Sequence, residues 1–257
     1  MELGTLIGLG VAFGAIFVAI ILEGASPMAI ILIPPILLVL GGTFGAAMAG
    51  SMMRDTKRVG SWFKTVLLAK VAPADEVVDT VVKLAERARR EGLLALEDAA
   101  RDVDDDYLRK GLELAIDGTD PEELREILES QLDAKRREDR LGARFFTDMG
   151  GYSPTIGIIG TVIGLIHVLG NLSEPDKLGR LIAGAFVATL WGVMMANVVW
   201  LPFGKKMARL SELECQKMEL IIEGILAIQA GSNPRVVAQR LRSLLPAPEG
   251  APAGKAA

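Results

Sequence analysis

Four intervals of this 257-residue sequence contain no Asp, Glu, Lys or Arg: Leu3 to Leu22, Gly24 to Met53, Met149 to Ser173 and Leu181 to Gly204. A membrane-spanning helix needs about 20 largely apolar residues, because the hydrocarbon layer is about 30 Å thick and a helix rises about 1.5 Å per residue. Each interval is long enough, and a soluble core with four such runs would leave too few residues to cover it. The sequence therefore predicts an all-α polytopic membrane protein with four transmembrane helices.

Charged residues make up 23% of the chain and lie outside these intervals, mainly between the second and third. That insertion has helical periodicity, with an apolar stripe from Val77 to Ala88 and a stop at Gly92, so it is predicted to be a helical domain. We predict the following organisation: helices 1 and 2 in 1–53, a helical domain in 54–148, helices 3 and 4 in 149–204, C-terminal helices in 205–245, and a disordered tail in 246–257.

The basic residues beside the intervals predict the orientation, since Lys and Arg are retained on the cytoplasmic side. They follow the second interval, precede the third and follow the fourth: Arg54, Lys57, Arg58, Lys64, Arg140, Arg144, Lys205, Lys206 and Arg209. Both termini and the 54–148 domain are therefore expected in the cytoplasm. The single cysteine fits that location, and the nearly balanced net charge of −4 indicates no nucleic-acid partner.

Among Asp, Glu, Lys, Arg and His, only one residue occurs within the four intervals, namely His167. Proteins that move ions across membranes commonly hold a carboxylate at membrane depth, where it exchanges a proton or binds sodium. If this chain conducts ions, another polypeptide must supply that carboxylate. His167 lies near the end of its interval, and an interfacial or packing role is favoured over a proton relay, although its role stays open.

Small residues recur at a spacing of four in every interval, which allows close packing of helices in lipid. The pairs and triplets are Gly10 and Gly14; Gly42, Ala46 and Gly50; Gly160 and Gly164; Gly184, Ala188 and Gly192. For any single stripe, packing within one monomer is favoured, whereas four stripes together favour oligomerisation. Thr161 shares a helix face with Pro154, and Ala185 shares one with Thr189, so the two hydroxyls either line an ion path or bond to carbonyls of their own helices.

Two prolines, Pro154 and Pro202, are predicted to bend the third and fourth helices near their cytoplasmic ends, where motion would reach the soluble domain. The sequence contains no metal-ligand spacing, no nucleophile with a plausible base and no phosphate loop. An enzyme is therefore not expected, and neither a metal nor a cofactor is expected. A scaffold without an ion path is the remaining non-enzymatic alternative.

Four sequence motifs carry a resemblance to a known family: ARREGLLALE (88–97), YSPTIGIIGTVIGL (152–165), AFVATLWG (185–192) and NVVWLP (197–202). With them, the chain resembles the MotA/PomA family of flagellar motor stator subunits over residues up to about 245. The resemblance implies a pentamer in the bacterial inner membrane around two copies of MotB, whose transmembrane helix carries the ion-binding aspartate. Flow of H⁺ or Na⁺ would turn the ring and drive the rotor protein FliG.

The resemblance also implies roles for individual residues. Arg89 and Glu97, with Arg90 beside them, match the charges that contact the rotor; Thr161, Thr189 and Ala185 match positions beside the ion path; and Pro154 and Pro202 match two mechanically important prolines. The main alternative is an ExbB/TolQ-type proton-channel subunit that energises outer-membrane processes. Members of that type usually have three spans, so two spans before the insertion favour the flagellar interpretation. The coupling ion is left open, because Thr161 favours sodium and the stretch after it favours the proton.

Overall fold

The computed structural model describes residues 3–69 and 73–245, and within them all regular structure is helical. The all-α prediction is confirmed, whereas the predicted disordered tail lies outside the described residues. The α-helices are α1 (Leu3–Leu22), α2 (Ile33–Ala49), α3 (Met53–Thr56), α4 (Val59–Leu68), α5 (Ala74–Glu91), α6 (Leu96–Arg101), α7 (Asp106–Ile116), α8 (Pro121–Leu169), α9 (Pro175–Met194), α10 (Leu201–Gln229) and α11 (Pro234–Ser243). Short 3₁₀ helices span Pro27–Ile30 and Leu93–Ala95, and a π-helix spans Met195–Trp200.

Three helical segments of the described chain are long and apolar enough to cross a membrane: Gly4–Leu22, Pro121–Leu169 and Pro175–Gln229. The predicted second span instead contains a 3₁₀ turn and then α2, which has 17 residues. Two prolines set this start, because Pro is tolerated in the first turn of a helix, where no backbone donor is needed. At 17 residues, α2 is at the short limit of about 17–25 for a spanning helix, so the count of four spans stays a prediction.

Helix ends agree with the punctuation in the sequence. The Asp120 carboxylate accepts a hydrogen bond from the Glu122 N–H at 2.9 Å and so caps α8. From there α8 runs without interruption for 49 residues, through the third charge-free interval. Gly92 and Gly231 follow the ends of α5 and α10 with φ of +86° and +65°, a backbone conformation that glycine adopts without steric cost.

The structure divides into two compact units, one of residues 3–69 with 138–210 and one of 73–137 with 211–245. In the second unit, the apolar stripe of α5 is buried against α10 and α11. The packing is close at Gly224, where a Cβ would lie only 2.5 Å from Val81 Cγ1. The buried side chains of this core include Val78, Val81, Leu96, Leu112, Leu124, Leu128, Ile221, Ile225, Ile228 and Leu241.

The first unit contains an aromatic cluster that periodicity alone does not predict. Phe63 of α4 meets Phe146 of α8 edge to face, with ring centroids 5.0 Å apart, and Phe203 of α10 at 5.8 Å. Trp62 and Phe145 extend the cluster, with ring centroids 5.8 Å apart. Edge-to-face pairs add about 0.5–1.5 kcal/mol each beyond area burial. The cluster holds α4 against α8 and α10.

Candidate functional site

Helices α8 and α9 approach each other through small residues. A Cβ on Gly160 would lie 2.6 Å from Ala188 Cβ, and one on Gly164 would lie 2.6 Å from Ala185 Cβ. A Cβ on Gly157 would lie 2.8 Å from the Ala188 carbonyl oxygen, closer than real Cβ contacts come. The small residues of these two helices therefore pack within one chain, which is the packing favoured for any single stripe.

The small-residue pair of α1 behaves differently. A Cβ on Gly10 or Gly14 would meet no atom of the described chain within 4 Å. Gly42 of α2 is intermediate, because its Cβ would lie 3.0 Å from Ile156 Cγ2 of α8. The spacing of small residues thus predicts close packing but does not tell which stripe packs within the chain.

The close approach of α8 and α9 brings Thr161, Thr189 and Ala185 together, as the sequence analysis grouped them. The two threonine hydroxyls are hydrogen-bonded to each other. Thr161 Oγ1 also lies 3.0 Å from the Ala185 carbonyl oxygen of α9 and 3.3 Å from the Gly157 carbonyl oxygen of its own helix. Each hydroxyl has one proton, so these carbonyls are alternative acceptors. We call these two side chains the threonine pair.

The threonine pair is a cluster of neutral oxygen atoms, and both side chains are half-buried. Hydroxyl and carbonyl oxygens can replace water around a hard cation, but they do not exchange a proton at ordinary pH. Among the described residues, moreover, no group of three or more His, Cys, Asp or Glu is placed to hold a metal ion. The pair can therefore line a path for an ion but does not by itself provide a titratable site.

Pro154 and Pro202 occupy different helical environments. Helix α8 continues through Pro154, whose side chain is half-buried. The exposed Pro202 is the second residue of α10, which begins where the π-helix Met195–Trp200 ends. Proline has no N–H to donate, and its ring clashes with the carbonyl four residues earlier, so a local π turn N-terminal to Pro202 relieves that clash. The sequence predicts a bend at Pro202 but not the π-helix before it, and the proline itself is the sequence feature that indicates a π-helix there.

The predicted rotor residues flank a turn in the second unit. Arg89 and Arg90 are exposed in the last turn of α5, and Glu97 is exposed in the first turn of α6. Gly92 and the 3₁₀ helix Leu93–Ala95 join the two helices. We call residues 89–97 the charged turn. It presents charges of both signs to the solvent on a short, ordered connection.

Most charges at the charged turn are neutralised within their own helices. Arg90 pairs with Glu86 at 3.7 Å and Glu97 pairs with Arg101 at 3.1 Å, each at a spacing of four residues. Arg89 forms no ion pair with any residue of the described chain. Such exposed pairs contribute about 0.3–0.5 kcal/mol each, so they are easily exchanged for a partner's charges.

The sequence analysis did not predict how the charged turn is supported. Glu223 of α10 accepts bonds from Arg125 of α8 at 2.9 Å and from Arg240 of α11 at 2.5 Å. This fixes α11, whose Val237 and Leu241 are buried in the core that also contains the α5 stripe. One signal exists in the sequence, namely the cluster of arginines in 234–243. The shared acceptor Glu223, however, lies 17 residues from Arg240 and 98 residues from Arg125 along the chain.

Asp105 and Lys217 form a second link in this unit, 2.7 Å apart and both largely shielded from solvent. The Asp105 carboxylate also caps α7, accepting bonds from the N–H groups of Tyr107 and Leu108 at 3.0 Å. Burial alone would raise the pKa of Asp105, but the Lys217 bond and the two N–H groups outweigh it, so the pKa lies below its ordinary value. The carboxylate is thus held in its charged form.

Comparisons with known proteins agree with this geometry. Residues 99–220 match the model of the MotA/TolQ/ExbB proton channel family. Motility protein A of Bacillus subtilis (strain 168) is 38% identical over 248 residues, covering 96% of this chain and 92% of that protein. The chain belongs to the motility protein A family. The family model alone would also fit the ExbB/TolQ alternative, but the near full-length match confirms the predicted flagellar stator subunit.

Solved structures extend the likeness from sequence to fold. A structure of C. jejuni MotAB superposes with a TM-score of 0.92 at 30% identity, covering 97% of this chain and 98% of that one. The flagellar MotAB stator complex from Bacillus subtilis has a TM-score of 0.88 at 38% identity, covering 95% and 96%. The helical order of the motility protein A family is therefore that of this chain along almost its whole length.

Proposed function

We propose that this stator subunit forms a pentamer around a MotB-type partner in the bacterial inner membrane and turns when H⁺ or Na⁺ flows through the complex. The observation that carries the proposal is the neutral threonine pair within the third and fourth charge-free intervals. The four charge-free intervals contain no carboxylate of their own, so an ion-binding aspartate has to come from the partner. The solved relatives are MotAB complexes, which supports a partner of that kind.

In this proposal the segments 54–148 and 205–245 lie in the cytoplasm, together with both termini. The basic residues that flank the charge-free intervals support this orientation. Residues 1–53 and 149–204 form the membrane part, in contact with lipid. The threonine pair, with Ala185 beside it, lines the ion path next to the partner's aspartate. Pro154 in α8 and Pro202 at the start of α10 are the positions at which these helices bend as the subunit turns.

The charged turn is the part that contacts the rotor protein FliG. Arg89 supports this role, because it is exposed and has no counter-ion among the described residues. Glu97 and Arg90 have only exposed, weak pairs that a partner can replace. Exposed charges give register and fast association with a moving partner without tight binding, as a rotating contact requires.

Reconstitution in liposomes tests the ion path. The chain alone is expected to pass no proton or sodium current, and the chain with its MotB-type partner is expected to pass one. The matched control is the complex in which the partner's membrane aspartate is changed to Asn, and this complex should pass no current. A selective current through the chain alone would show that it provides its own titratable site and would overturn the proposal.

Swimming and tethered-cell torque test the rotor contact. Arg89→Glu and Glu97→Lys each place a wrong charge at the charged turn, so torque should fall by several-fold in each and further in the double variant. Glu76→Lys is the matched control, since Glu76 is exposed in the first turn of the same helix as Arg89. Full torque in the double variant would remove the rotor contact from this turn.

The coupling ion is decided by motility in titrated sodium and in a protonophore. Loss of swimming as sodium is withdrawn identifies Na⁺, and loss on dissipating the proton gradient at constant sodium identifies H⁺. Thr161 supplies an oxygen that could replace one water ligand of Na⁺. Either result fits the proposed stator, whereas motility that survives both treatments contradicts ion-driven torque.

A further inference from the structure

Leu94 lies within the charged turn and is 75% exposed. The other large apolar side chains that are more than half exposed in the described part of this unit are Val236 at 57% and Leu244 at 55%. A single exposed leucine is common on protein surfaces, so exposure alone carries little weight. What distinguishes Leu94 is how the backbone keeps it outside and what surrounds it.

The backbone of the charged turn holds Leu94 away from the core. The left-handed Gly92, with φ of +86°, ends α5 and begins the 3₁₀ helix Leu93–Ala95. Side chains three residues apart fall on the same side of a 3₁₀ helix. Leu96 is fully buried and Leu93 packs against the same core, so this spacing fixes the inner side of the turn. Leu94 is consequently presented on the outer side.

Exposed charged residues flank Leu94 along the chain. Arg89 and Arg90 precede it and Glu97 follows it, and all three are exposed. Transient protein interfaces commonly have this arrangement, in which a central apolar side chain is desolvated on binding and a charged rim provides orientation. Arg89 adds a preference for negative charge, because it has no ion-pair partner in the described chain.

We propose that Leu94 is the apolar anchor of the rotor contact: it enters an apolar pocket on the rotor protein, and a carboxylate at the rim of that pocket pairs with Arg89. This inference rests on the proposed rotor-contacting role of the charged turn. Leu94 then supplies affinity through burial, whereas Arg89 and Glu97 supply orientation and rate of association.

The test measures binding of purified FliG to the purified complex of the full chain with its MotB-type partner, at low and at high salt. Leu94→Asn keeps the side-chain size but is polar, and it is expected to weaken affinity about tenfold at both salt concentrations. Leu94→Met keeps an apolar side chain and should stay within about twofold. Arg89→Gln should weaken binding at low salt, with a smaller effect at high salt because charges are screened there.

Val236→Asn is the matched control, because Val236 is exposed in the same unit but lies on α11, away from the charged turn. Its binding should equal that of the unsubstituted complex, and an equal loss in both Asn variants would overturn the anchor.

If Arg89→Gln weakens binding and Leu94→Asn does not, the anchor is wrong while the rotor contact stands. If neither does, the rotor contact itself fails. A changed subunit number in Leu94→Asn before FliG is added would assign Leu94 to a contact between copies, against the proposal.

Discussion

The threonine pair and the charged turn are built in opposite ways. Around the threonine pair, two helices touch through glycine and alanine, and the hydroxyls bond to each other and to backbone carbonyls. Around the charged turn, the exposed surface carries charges of both signs, which are paired only locally or, for Arg89, not at all within the described residues. The polar groups of the threonine pair are hydrogen-bonded within the chain, whereas the charged groups of the charged turn remain available to a partner.

The difference corresponds to two kinds of work. In lipid, an unsatisfied polar group is costly, so the helix pair proposed to line the ion path has to satisfy its own polar groups and leave charge to a partner. In water, exposed charges cost little and can be exchanged between partners within each contact. A subunit that moves against a rotor needs a rigid membrane part and a surface that binds and releases.

Gly157→Ala should break the first region and has the largest expected effect. The added Cβ would lie 2.8 Å from the Ala188 carbonyl oxygen and 3.1 Å from the Cα atoms of Thr189 and Gly192, and these backbone atoms cannot rotate away. Overpacking of this kind costs about 1–3 kcal/mol. Thermal unfolding of the solubilised complex should therefore occur at lower temperature, and torque should fall.

Gly151→Ala is the matched control for that change. Gly151 is on the same helix, and a Cβ there would meet no atom of the described residues within 4 Å. Alanine is favoured over glycine inside a helix by about 0.5–1 kcal/mol, so this variant should be at least as stable as the parent. Equal stability of the two variants would contradict the close α8–α9 packing.

Glu223→Gln should loosen the support of the charged turn. The Glu223 side chain is only 19% exposed and holds both Arg125 and Arg240. Hydrogen bonds to charged groups contribute about 1.5–3 kcal/mol, so amide hydrogens of α11 should exchange about tenfold faster or more. In Glu129→Gln, which removes an exposed pair with the same arginine, exchange should change less than about twofold. Equal protection of α11 in the two variants would show that Glu223 does not fix it.

Much of this architecture could be predicted from the sequence, because it follows from local rules. Charge-free length acts along one helix and the glycine at 92 acts within one turn of the chain, and the structure confirms the helix end that Gly92 predicts. The grouping of Thr161 with Thr189 came from the family resemblance, since spacing places each residue only on a face of its own helix. The family motifs then extended these local patterns to the whole chain.

Other features depend on which surfaces meet, and a single sequence does not record that. The Gly10 pair and the Gly160 pair have the same spacing, yet only the second packs within the described chain. The aromatic cluster and the Glu223 link join helices that are far apart in sequence. The π-helix before Pro202 reflects a steric conflict whose resolution depends on the neighbouring helices.

Thr161→Val would sharpen the comparison by removing one hydroxyl from the threonine pair without changing its size. A net hydrogen bond contributes about 0.5–1.5 kcal/mol, so ion current through the reconstituted complex should fall by a few-fold, and Thr161→Ser should restore it. Thr155→Val is the matched control, since the Thr155 hydroxyl donates only to the Tyr152 carbonyl of its own helix. An unchanged current in Thr161→Val would exclude its hydroxyl from the ion path.

Asp105→Asn has the smallest expected effect and tests whether the support of the charged turn depends on charge. Asp105 caps α7, and α7 packs against α6, which begins within the charged turn. Asn still caps a helix, so the change removes mainly the ion pair with Lys217, about 0.5–1.5 kcal/mol. The folded-state pKa of Asp105 lies below the ordinary value of an aspartate. Its contribution is therefore complete above about pH 5 and is lost as the pH falls through the folded-state pKa.

Hydrogen exchange in α7 of Asp105→Asn should differ from the parent at pH 7 and converge with it in acid below that pKa. The control Asp106→Asn, at an 87% exposed carboxylate, should match the parent throughout. A difference that persists unchanged in acid would assign the effect to altered capping instead of charge.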